Sequence, residues 1–527
     1  MTTTEILISE IQSKFQKETA INGHFSSEIH DLGNNKFGLD IFTFEHKKSK
    51  EGLEKILLAS VYKKGVIRLL EHMGVCYKTE QGESLLVIKE HNIISEITLK
   101  EVKDLINEYL NQLPAIEVTL GSVSTSFTSD AQVELIYRQA NLVLNESFLE
   151  FIYQDLRPII KDNTGSSSLF FDNGIIKVKP GDSVEKMDYR IYPDGLVWKN
   201  NIIDFQISNR DSDQCHYSEF IENVCGGEPE RILSLRSAIG YLLHAFNRRS
   251  GGQMVLLYDE SITDTNNPQG GTGKGIIANS IALLRSTVKI DGKKLKGDNR
   301  FDYQDVTHAT NLLWIDDVGK QLDIDTLNSV STDGFNIEKK FKDSFYIKAE
   351  DSPKILICSN IILDCGGTTR KRRQFIIELS DFYSSKIKTG AEEPIVDEHG
   401  CRFFTKDWAN DEWNRFYWFM IDCLQLYLDK GLIPFESINV IENRLRQTIG
   451  EDFLSWLTEK DFKIDTNYPT QELLEEYKKL FENDNSQFTQ RKFSNHLKQY
   501  FSLKNKEVSF SSESKNGVKV SFFRIRN

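Results

Sequence analysis

Four short groups of residues in the second half of the chain have side chains and spacing suited to chemistry rather than to packing alone. The first is the glycine-rich turn 268–275, Pro-Gln-Gly-Gly-Thr-Gly-Lys-Gly, between an apolar run at 254–258 and a helical pattern at 276–284. In a strand–turn–helix unit, backbone N–H groups surround a phosphate chain, the helix N-terminus adds positive potential and a lysine reaches the terminal phosphates. The turn therefore predicts a nucleotide site made of Gly270, Gly271, Thr272, Gly273, Lys274, Gly275 and Ile276.

Two positions of this turn depart from the phosphate-loop pattern. The pattern has Gly at its first position and Ser or Thr after the lysine, whereas this chain has Pro268 and Gly275. The hydroxyl after the lysine ordinarily binds Mg²⁺, so the turn by itself is an incomplete motif. A glycine-rich surface turn is the alternative interpretation of this stretch.

The second group follows Lys274 by about forty residues and reads Asn-Leu-Leu-Trp-Ile-Asp-Asp over 311–317. An apolar strand that ends in two acids is the Walker B arrangement. There the first carboxylate, Asp316, is the predicted metal ligand for Mg²⁺, and the second, Asp317, polarises the attacking water. An acidic turn at a strand end is the alternative.

The third and fourth groups flank two further apolar strands. Asn360 follows the predicted strand 354–358, where an amide can hydrogen-bond the γ-phosphate or the attacking water; an ordinary turn residue is the alternative. Arg372 and Arg373 precede the predicted strand 374–379. Arginines at this point can reach the nucleotide of a neighbouring subunit and spread transition-state charge, although a solvated basic loop is the alternative.

The two basic segments predict contacts with nucleic acid. The stretch 332–342 reads as a turn and a hairpin with a basic tip formed by Lys339, Lys340 and Lys342. From 485 to 527 the chain has nine Lys or Arg against two acids, arranged as the end of a helix–turn–helix pattern followed by two strands. That order suits a winged-helix-like module with phosphates as its targets; a charged globular tail is the alternative.

The composition is that of a soluble globular protein. The 527 residues are 39% hydrophobic and carry a net charge of −13, which argues against a uniformly basic nucleic-acid binder but allows local basic patches. No apolar run approaches a membrane span and the N-terminal residues Met-Thr-Thr-Thr-Glu lack a signal-peptide pattern, so we expect a cytoplasmic protein without a membrane partner. The seven cysteines show no CxxC spacing, and the pairs Cys215-His216 and His399…Cys401 lack a second ligand pair nearby, so we expect reduced, packed thiols.

The series of motifs resembles the superfamily 3 helicases, in the branch of poxvirus-type and phage or plasmid primase–helicases. The matching stretches are 270–275 (motif A), 312–317 (motif B), 332–342 (motif B′) and 355–360 (motif C), followed by the arginine pair. The resemblance implies an α/β, AAA+-like P-loop NTPase core, a hexameric ring and ATP with Mg²⁺ between subunits. It also implies single-stranded or forked DNA in the central channel and other replication proteins as partners.

The resemblance also implies a role for each site residue. Lys274 would bind the β- and γ-phosphates, Asp316 would support Mg²⁺, Asp317 would orient water and Asn360 would be the sensor. The hairpin lysines would touch the DNA backbone, and one of the two arginines would be the finger. The predicted division of the chain is an N-terminal α+β module of unknown role (1–135), a helicase-associated subdomain (136–250), the NTPase core (251–385), a helical segment packing on the core (386–460) and the winged-helix-like module (461–527).

Three functions are compatible with these features. The leading one is an ATP-dependent DNA helicase in the replication of a phage, plasmid or other mobile element, in a bacterial host cytoplasm. The second is an ATP-binding, DNA-binding switch or loader that does not unwind, which the missing hydroxyl at Gly275 favours. The third, a primase–helicase, requires grouped metal-binding carboxylates in the first 160 residues, where Asp40 stands alone.

Overall fold

A computed structural model describes the chain over residues 29–80, 82–120, 123–181, 184–189, 195–247, 252–260, 271–295, 301–319, 322, 327, 334–340, 344–363, 372–435, 439–481, 488–504, 506–515 and 518–526. Pro268, Gly270 and Lys342, and with them parts of the predicted glycine turn and hairpin tip, lie outside the described residues.

The described elements are numbered in chain order. The strands are β1 (Ile29–Asp31), β2 (Lys36–Leu39), β3 (Phe42–Lys48), β4 (Glu54–Val61), β5 (Val75–Glu80), β6 (Glu83–Glu90), β7 (Ile93–Glu96), β8 (Ile116–Leu120), β9 (Val123–Phe127), β10 (Ser167–Phe171), β11 (Gly174–Val178), β12 (Val184–Met187), β13 (Val197–Trp198), β14 (Ile202–Ile203), β15 (Met254–Asp259), β16 (Thr287–Asp291), β17 (Leu312–Asp316), β18 (Phe335–Ile337), β19 (Phe345–Ile347), β20 (Lys354–Cys358), β21 (Gln374–Leu379), β22 (Asn467–Pro469), β23 (Glu507–Lys515) and β24 (Val518–Arg526). The helices are α1 (Lys63–His72), α2 (Leu99–Asn111), α3 (Ser129–Val143), α4 (Glu146–Leu149), α5 (His216–Val224), α6 (Pro229–Leu243), α7 (Lys274–Ala282), α8 (Phe382–Lys388), α9 (Pro394–His399), α10 (Asn410–Lys430), α11 (Asn439–Ile449), α12 (Glu451–Thr458), α13 (Thr470–Leu480) and α14 (Gln490–Leu503).

A five-stranded parallel sheet, in the order β16–β17–β20–β15–β21, gives the chain its α/β fold. Its central strands are nearly continuous apolar runs because both faces are covered, as parallel sheets require. Side chains alternate between the faces. In β15, for example, Met254, Leu256 and Tyr258 join one buried cluster, and Val255 and Leu257 join the other.

The helices α5, α6 and α10 cover one face of this sheet, in a single hydrophobic cluster with α7 and strand β10. Helices α6 and α10 approach very closely at Gly240, where a Cβ would lie 2.0 Å from the carbonyl oxygen of Cys423. Only glycine fits there, which explains a residue that is otherwise unfavourable within a helix. The region before the phosphate loop is therefore packed directly onto the core.

The N-terminal region has its own hydrophobic cluster, to which strands β2–β4 and helices α1, α2 and α3 contribute. The turn residues Asn173-Gly174 between two apolar runs predict a hairpin, and the structure has the antiparallel pair β10–β11 there. The residues at 192–198 predict a second hairpin, but 192–194 lie outside the described residues; the strand that follows them, β13, pairs in parallel with β7. Val197 and Trp198 pair with a strand about one hundred residues earlier in the chain. The residues of a local turn do not predict such a distant partner.

The C-terminal residues form a separate cluster of aromatic and aliphatic side chains from α12, α13, α14 and the sheet β22–β24–β23. The element order is helix, strand, helix, helix, strand, strand. Helix α11 adds Leu445 and Ile449 to the same cluster, although the predicted boundary at residue 461 places this helix before the module. Within the described ranges, no helix is both long and apolar enough to cross a membrane.

Candidate nucleotide-binding site

The carboxyl edge of the parallel sheet brings together most of the predicted site residues. Asp259 ends β15, Asp316 ends β17, and Asn360 follows β20 by two residues. The register aligns these ends, since Leu257 and Asp316 both lie opposite Cys358 on β20. Because β20 and β17 lie between β15 and β16, the chain crosses over them after the phosphate loop; ligands of open α/β sheets bind at such edges.

The described part of the glycine loop has the backbone shape of a phosphate cradle. Gly271 and Gly273 both have a φ of +105°, in the left-handed region, and α7 begins immediately after them at Lys274. A Cβ at Gly273 would lie 2.7 Å from the ring of Phe220, so glycine is also required for space. Ile277 on the next turn is buried in the core, which holds the helix N-terminus at the sheet edge. The loop therefore offers backbone N–H groups and a helix N-terminus to an anion.

Lys274 is held by a carboxylate that the sequence interpretation missed. Its Nζ donates to Asp259, and the hydroxyl of Thr272 donates to the same carboxylate oxygen at 2.5 Å. Asp259 is 5% exposed, so this ion pair is shielded from water. The sequence contained a signal for this residue, because Asp259 directly follows the apolar run 254–258. An aspartate at the end of a buried strand is rarely buried unless it has a partner. An arriving phosphate group has to compete with Asp259 for the lysine.

The two carboxylates at the end of β17 are also paired with lysines. Asp316 Oδ2 lies 2.7 Å from Lys289 Nζ, whose ammonium group also lies 3.9 Å from the ring centre of Trp314. Asp317 accepts from Lys293, and this hydrogen bond raises the pKa of the lysine. Both carboxylates are partly open to solvent, which leaves them accessible to a cation.

Asp317 has a strained backbone. Its φ of +53° is in the left-handed region, which is rarely adopted by residues other than glycine. Such strain persists where the surrounding structure fixes the residue, and it clusters at functional sites. Strand β17 ends at Asp316, and the next residue, Asp317, has this left-handed conformation. The two adjacent carboxylates therefore have different partners, Lys289 for Asp316 and Lys293 for Asp317.

Asn360 presents an unsatisfied acceptor at the same edge. Its Oδ1 atom is buried and has no hydrogen-bond partner among the described residues. The preceding Ser359 fixes the backbone, because its hydroxyl donates to the carbonyl of Ile361 at 2.6 Å and its N–H donates to Leu257. A buried polar atom of this kind calls for a ligand or a water molecule. It can accept a hydrogen bond from a water molecule, as the sensor interpretation requires.

Arg372 and Arg373, the predicted arginine fingers, lie at the opposite end of the parallel strands from the phosphate loop. The carbonyl of Arg373 accepts from the N–H of Met254 at 2.8 Å, at the start of β15, and the carbonyl of Arg372 accepts from Gln253. The six residues of β21 span about 20 Å, so neither arginine is near the phosphate loop of its own chain. A finger role therefore requires a second subunit.

The stretch 332–342 contains only the first strand of an antiparallel hairpin, β18, whose partner β19 lies beyond it; the inward side chains Phe335, Ile337, Phe345 and Ile347 pack under the sheet. Lys340 is exposed, with its Nζ 5.8 Å from the ring centre of Phe301, and the Nζ of Lys339 lies 5.0 Å from the ring centre of Phe345.

The described residues fit a nucleotide with Mg²⁺. Lys274 and the positive-φ glycines suit phosphates, and Asp316 is an accessible carboxylate of the type that Mg²⁺ prefers. The space around Gly275 is open, because an added Cβ would meet no atom within 4 Å. The structure therefore has room for a side chain at position 275, although the sequence has glycine there.

The two Cys-His pairs noted in the sequence come together in space. His216 Nδ1 lies 3.2 Å from Cys401 Sγ, and His399 Nε2 is bonded to the hydroxyl of Tyr383 at 2.7 Å. Burial lowers the pKa of His399 and raises the pKa of Cys401. Among the described residues, no group of three His, Cys, Asp or Glu side chains is placed to hold a metal ion.

Comparisons with known proteins give a family and several distant structures. Residues 267–373, from the glycine turn to the arginine pair, match a family of unknown function, DUF5906. A search of curated proteins finds no match. An apo structure of the NrS-1 C-terminal region is 9% identical and covers 87% of this chain and 98% of that chain, with a TM-score of 0.41. A second apo structure of that region (305–718) is 10% identical, with the same coverage and a TM-score of 0.40.

The JCV helicase, in a crystal structure with a bound small molecule, is also similar. It is 9% identical and covers 46% of this chain and 65% of that chain, with a TM-score of 0.27. These TM-scores describe a loose overall superposition, and the function proposed below rests on the residues of this chain.

Proposed function

We propose that the protein is an ATP-dependent DNA helicase of the superfamily 3 type. The observation that carries the proposal is the convergence of Lys274, Asp316, Asp317 and Asn360 on one edge of a parallel sheet, beside a glycine loop that opens a helix. A phosphate chain, a metal ion and an attacking water need these four groups in one place. A surface turn and two unrelated strand ends would not be expected to supply all of them.

In the proposed reaction, water attacks the γ-phosphate and ADP leaves. The loop N–H groups and Lys274, once released from Asp259, bind and orient the phosphates. Asp316 would hold Mg²⁺, and the bound ion would supply positive charge opposite the phosphate oxygens. Asp317 accepts a proton from the attacking water, and Asn360 Oδ1 orients it.

The remaining features support an assembled motor. The distance of Arg372 and Arg373 from their own phosphate loop is expected for fingers that serve a neighbouring subunit, and so favours a ring, which we propose to be hexameric. The hairpin lysines Lys339, Lys340 and Lys342 are proposed to grip the DNA backbone in its channel. We further propose that the helix, strand, helix, helix, strand, strand order after residue 450 is a winged helix that also binds DNA.

A switch that binds ATP without turning it over is the second candidate. Two observations favour it: the missing hydroxyl at Gly275, and the pairing of Lys274 with Asp259. The switch would still bind nucleotide and DNA, and it would differ from the helicase only in hydrolysis. The N-terminal carboxylate considered for a primase, Asp40, is buried and accepts from the hydroxyl of Tyr109, as a packing residue does.

The test is ATP hydrolysis by the purified protein with and without single-stranded DNA, together with Lys274→Ala and Asp317→Ala. The proposal expects turnover that rises with DNA and is lost in both variants, followed by strand displacement on a forked duplex. Nucleotide binding without turnover in the unmodified protein would refute the helicase and favour the switch.

A further inference from the structure

Helix α11 (Asn439–Ile449) has two opposed faces that belong to different parts of the protein. Leu445 and Ile449 are buried in the C-terminal hydrophobic cluster, together with α14 and β24. Asn443 and Gln447 are also four residues apart, and each lies two residues before one of these apolar side chains. Two residues correspond to about 200° around a helix, so the amide pair points away from the C-terminal cluster.

Asn443 and Gln447 form hydrogen bonds with the two chain segments that follow β15 and β20 at the nucleotide-binding end of the sheet. Gln447 Oε1 accepts from the N–H of Ile362 at 2.9 Å, and its Nε2 donates to the carbonyl of the same residue at 3.2 Å. Asn443 Nδ2 donates to the carbonyl of Glu260 at 2.7 Å. Asn443 is fully buried, so this contact is shielded from water.

These two backbone positions are adjacent to site residues. Ile362 lies two residues after Asn360, and Glu260 directly follows Asp259, the partner of Lys274. The hydroxyl of Tyr258 accepts from the N–H of Leu363 at 3.3 Å, which links the same two segments to each other. A displacement of α11 along its axis would therefore move the sensor segment and the start of the phosphate loop together.

On its other side, α11 packs against α14, which carries Arg491, Lys492 and Lys498 of the basic C-terminal segment. A cleft of 430 Å³ lies between Ile362 and the α14 residues Lys498, Gln499 and Ser502. Across this cleft the nucleotide edge and α14 face each other, whereas α11 packs against α14 directly through Leu445 and Ile449.

We propose that α11 couples DNA binding by the C-terminal module to nucleotide binding at the sheet edge, with Gln447 and Asn443 as the positioning residues. This inference rests on the proposed function, because it requires both ligands. A coupling of this kind is reciprocal: DNA changes the affinity for nucleotide by the same factor by which nucleotide changes the affinity for DNA.

The test measures that factor directly. A fluorescein-labelled single-stranded oligonucleotide is titrated with the full chain, with and without a non-hydrolysable ATP analogue, and a fluorescent nucleotide is titrated with and without DNA. In the unmodified protein we expect a factor of about ten, within the usual range for coupled sites. In Gln447→Ala we expect a factor near one, while each ligand alone binds within about threefold of the unmodified protein.

Two further variants separate positioning from simple structural damage. Gln447→Glu keeps the acceptor for the Ile362 N–H and loses the donor, so it should retain part of the factor. Thr448→Ala, the next residue on the same helix and exposed, is the matched control and should behave like the unmodified protein. If Gln447→Ala does not fold, Asn443→Ser tests the same face through its other contact.

The outcomes distinguish this inference from the function on which it rests. A full coupling factor in Gln447→Ala, or in Asn443→Ser, would overturn the role of α11. Unmodified protein that binds both ligands with a factor of one would also overturn it, whether or not ATP is hydrolysed. Coupled binding without turnover would refute the helicase and leave α11 as the connection within a switch.

Discussion

The residue after the loop lysine offers a clean perturbation of the site. Gly275 stands where a Ser or Thr hydroxyl ordinarily binds Mg²⁺, and it is the second residue of α7. Because an added Cβ would meet no atom within 4 Å, Gly275→Ser should place a hydroxyl there without displacing the loop. Gly275→Ala is the matched control, since it adds the same Cβ and no hydroxyl.

The two variants have different expected effects on stability and on metal dependence. Replacing a helical glycine should stabilise α7 by up to about 1 kcal/mol in Gly275→Ala and by about 0.5 kcal/mol in Gly275→Ser. For a unit of 150–250 residues, 1 kcal/mol corresponds to about 2–4 °C in Tm. Only the serine adds a ligand atom, so it alone should lower the Mg²⁺ concentration for half-maximal ATP turnover, by about tenfold or more.

The assay is a Mg²⁺ titration of ATP hydrolysis at saturating DNA, with thermal unfolding of each variant in parallel. The two measurements separate a gain in helix stability, shared by both variants, from a gain in metal binding. Equal Mg²⁺ dependence in the serine and alanine variants would refute the placement of the metal beside α7. A loss of stability in Gly275→Ala would refute the open space around this residue.

Four further predictions test the site, the assembly and the C-terminal module. Asp259→Asn should tighten nucleotide binding about tenfold, or about 1.4 kcal/mol, in a fluorescent-nucleotide titration, because the phosphate no longer displaces a buried carboxylate; weaker binding would make Asp259 a supporting residue instead. Replacing Arg372 and Arg373 together by Ala should abolish turnover, and mixing these subunits with the inactive phosphate-loop lysine variant should restore a part of it, which fingers acting within one chain could not do. Lys340→Ala should weaken DNA binding of all sequences alike and flatten the salt slope by up to about one, whereas an unchanged slope would remove this lysine from the channel. His496 is buried against Phe453, and this burial lowers its pKa to about 4. Because the unfolded chain binds the proton more tightly, with a pKa near 6.5, the C-terminal module should be fully stable above pH 6.5 and lose about 1–2 kcal/mol of unfolding free energy by pH 5, allowing for partial solvent access. A pH titration of the unfolding of His496→Leu should lack this loss.

Local patterns in the sequence predicted the elements of the core well. The apolar runs at 254–258, 312–316, 354–358 and 374–379 are parallel strands, and the helical pattern after the glycine turn is α7. These predictions succeed because apolar continuity, glycine turns and helical spacing depend on neighbours in the chain.

Other features could not be predicted from local patterns because they depend on residues that are distant in the chain. The parallel pairing of β13 with β7 is one of them, since strand partners are chosen by burial as well as by turns. The predicted start of the C-terminal module at residue 461 lies after α11 and α12, whereas apolar residues of both helices join the C-terminal cluster. A helical pattern shows that one face is apolar, but it does not show which cluster that face will join.

The sequence by itself determined the chemical inventory of this protein: a lysine after a glycine turn, two carboxylates after an apolar strand, an amide after the next strand and an arginine pair before the last. Only the tertiary structure decided how that inventory is connected. It pairs Lys274 with Asp259, sets the arginines at the far edge, and joins Gln447 to a segment 85 residues earlier and Asn443 to one 183 residues earlier. The reason is physical: residue types and short spacings fix which groups are available, whereas parallel strand order and helix packing fix which groups meet.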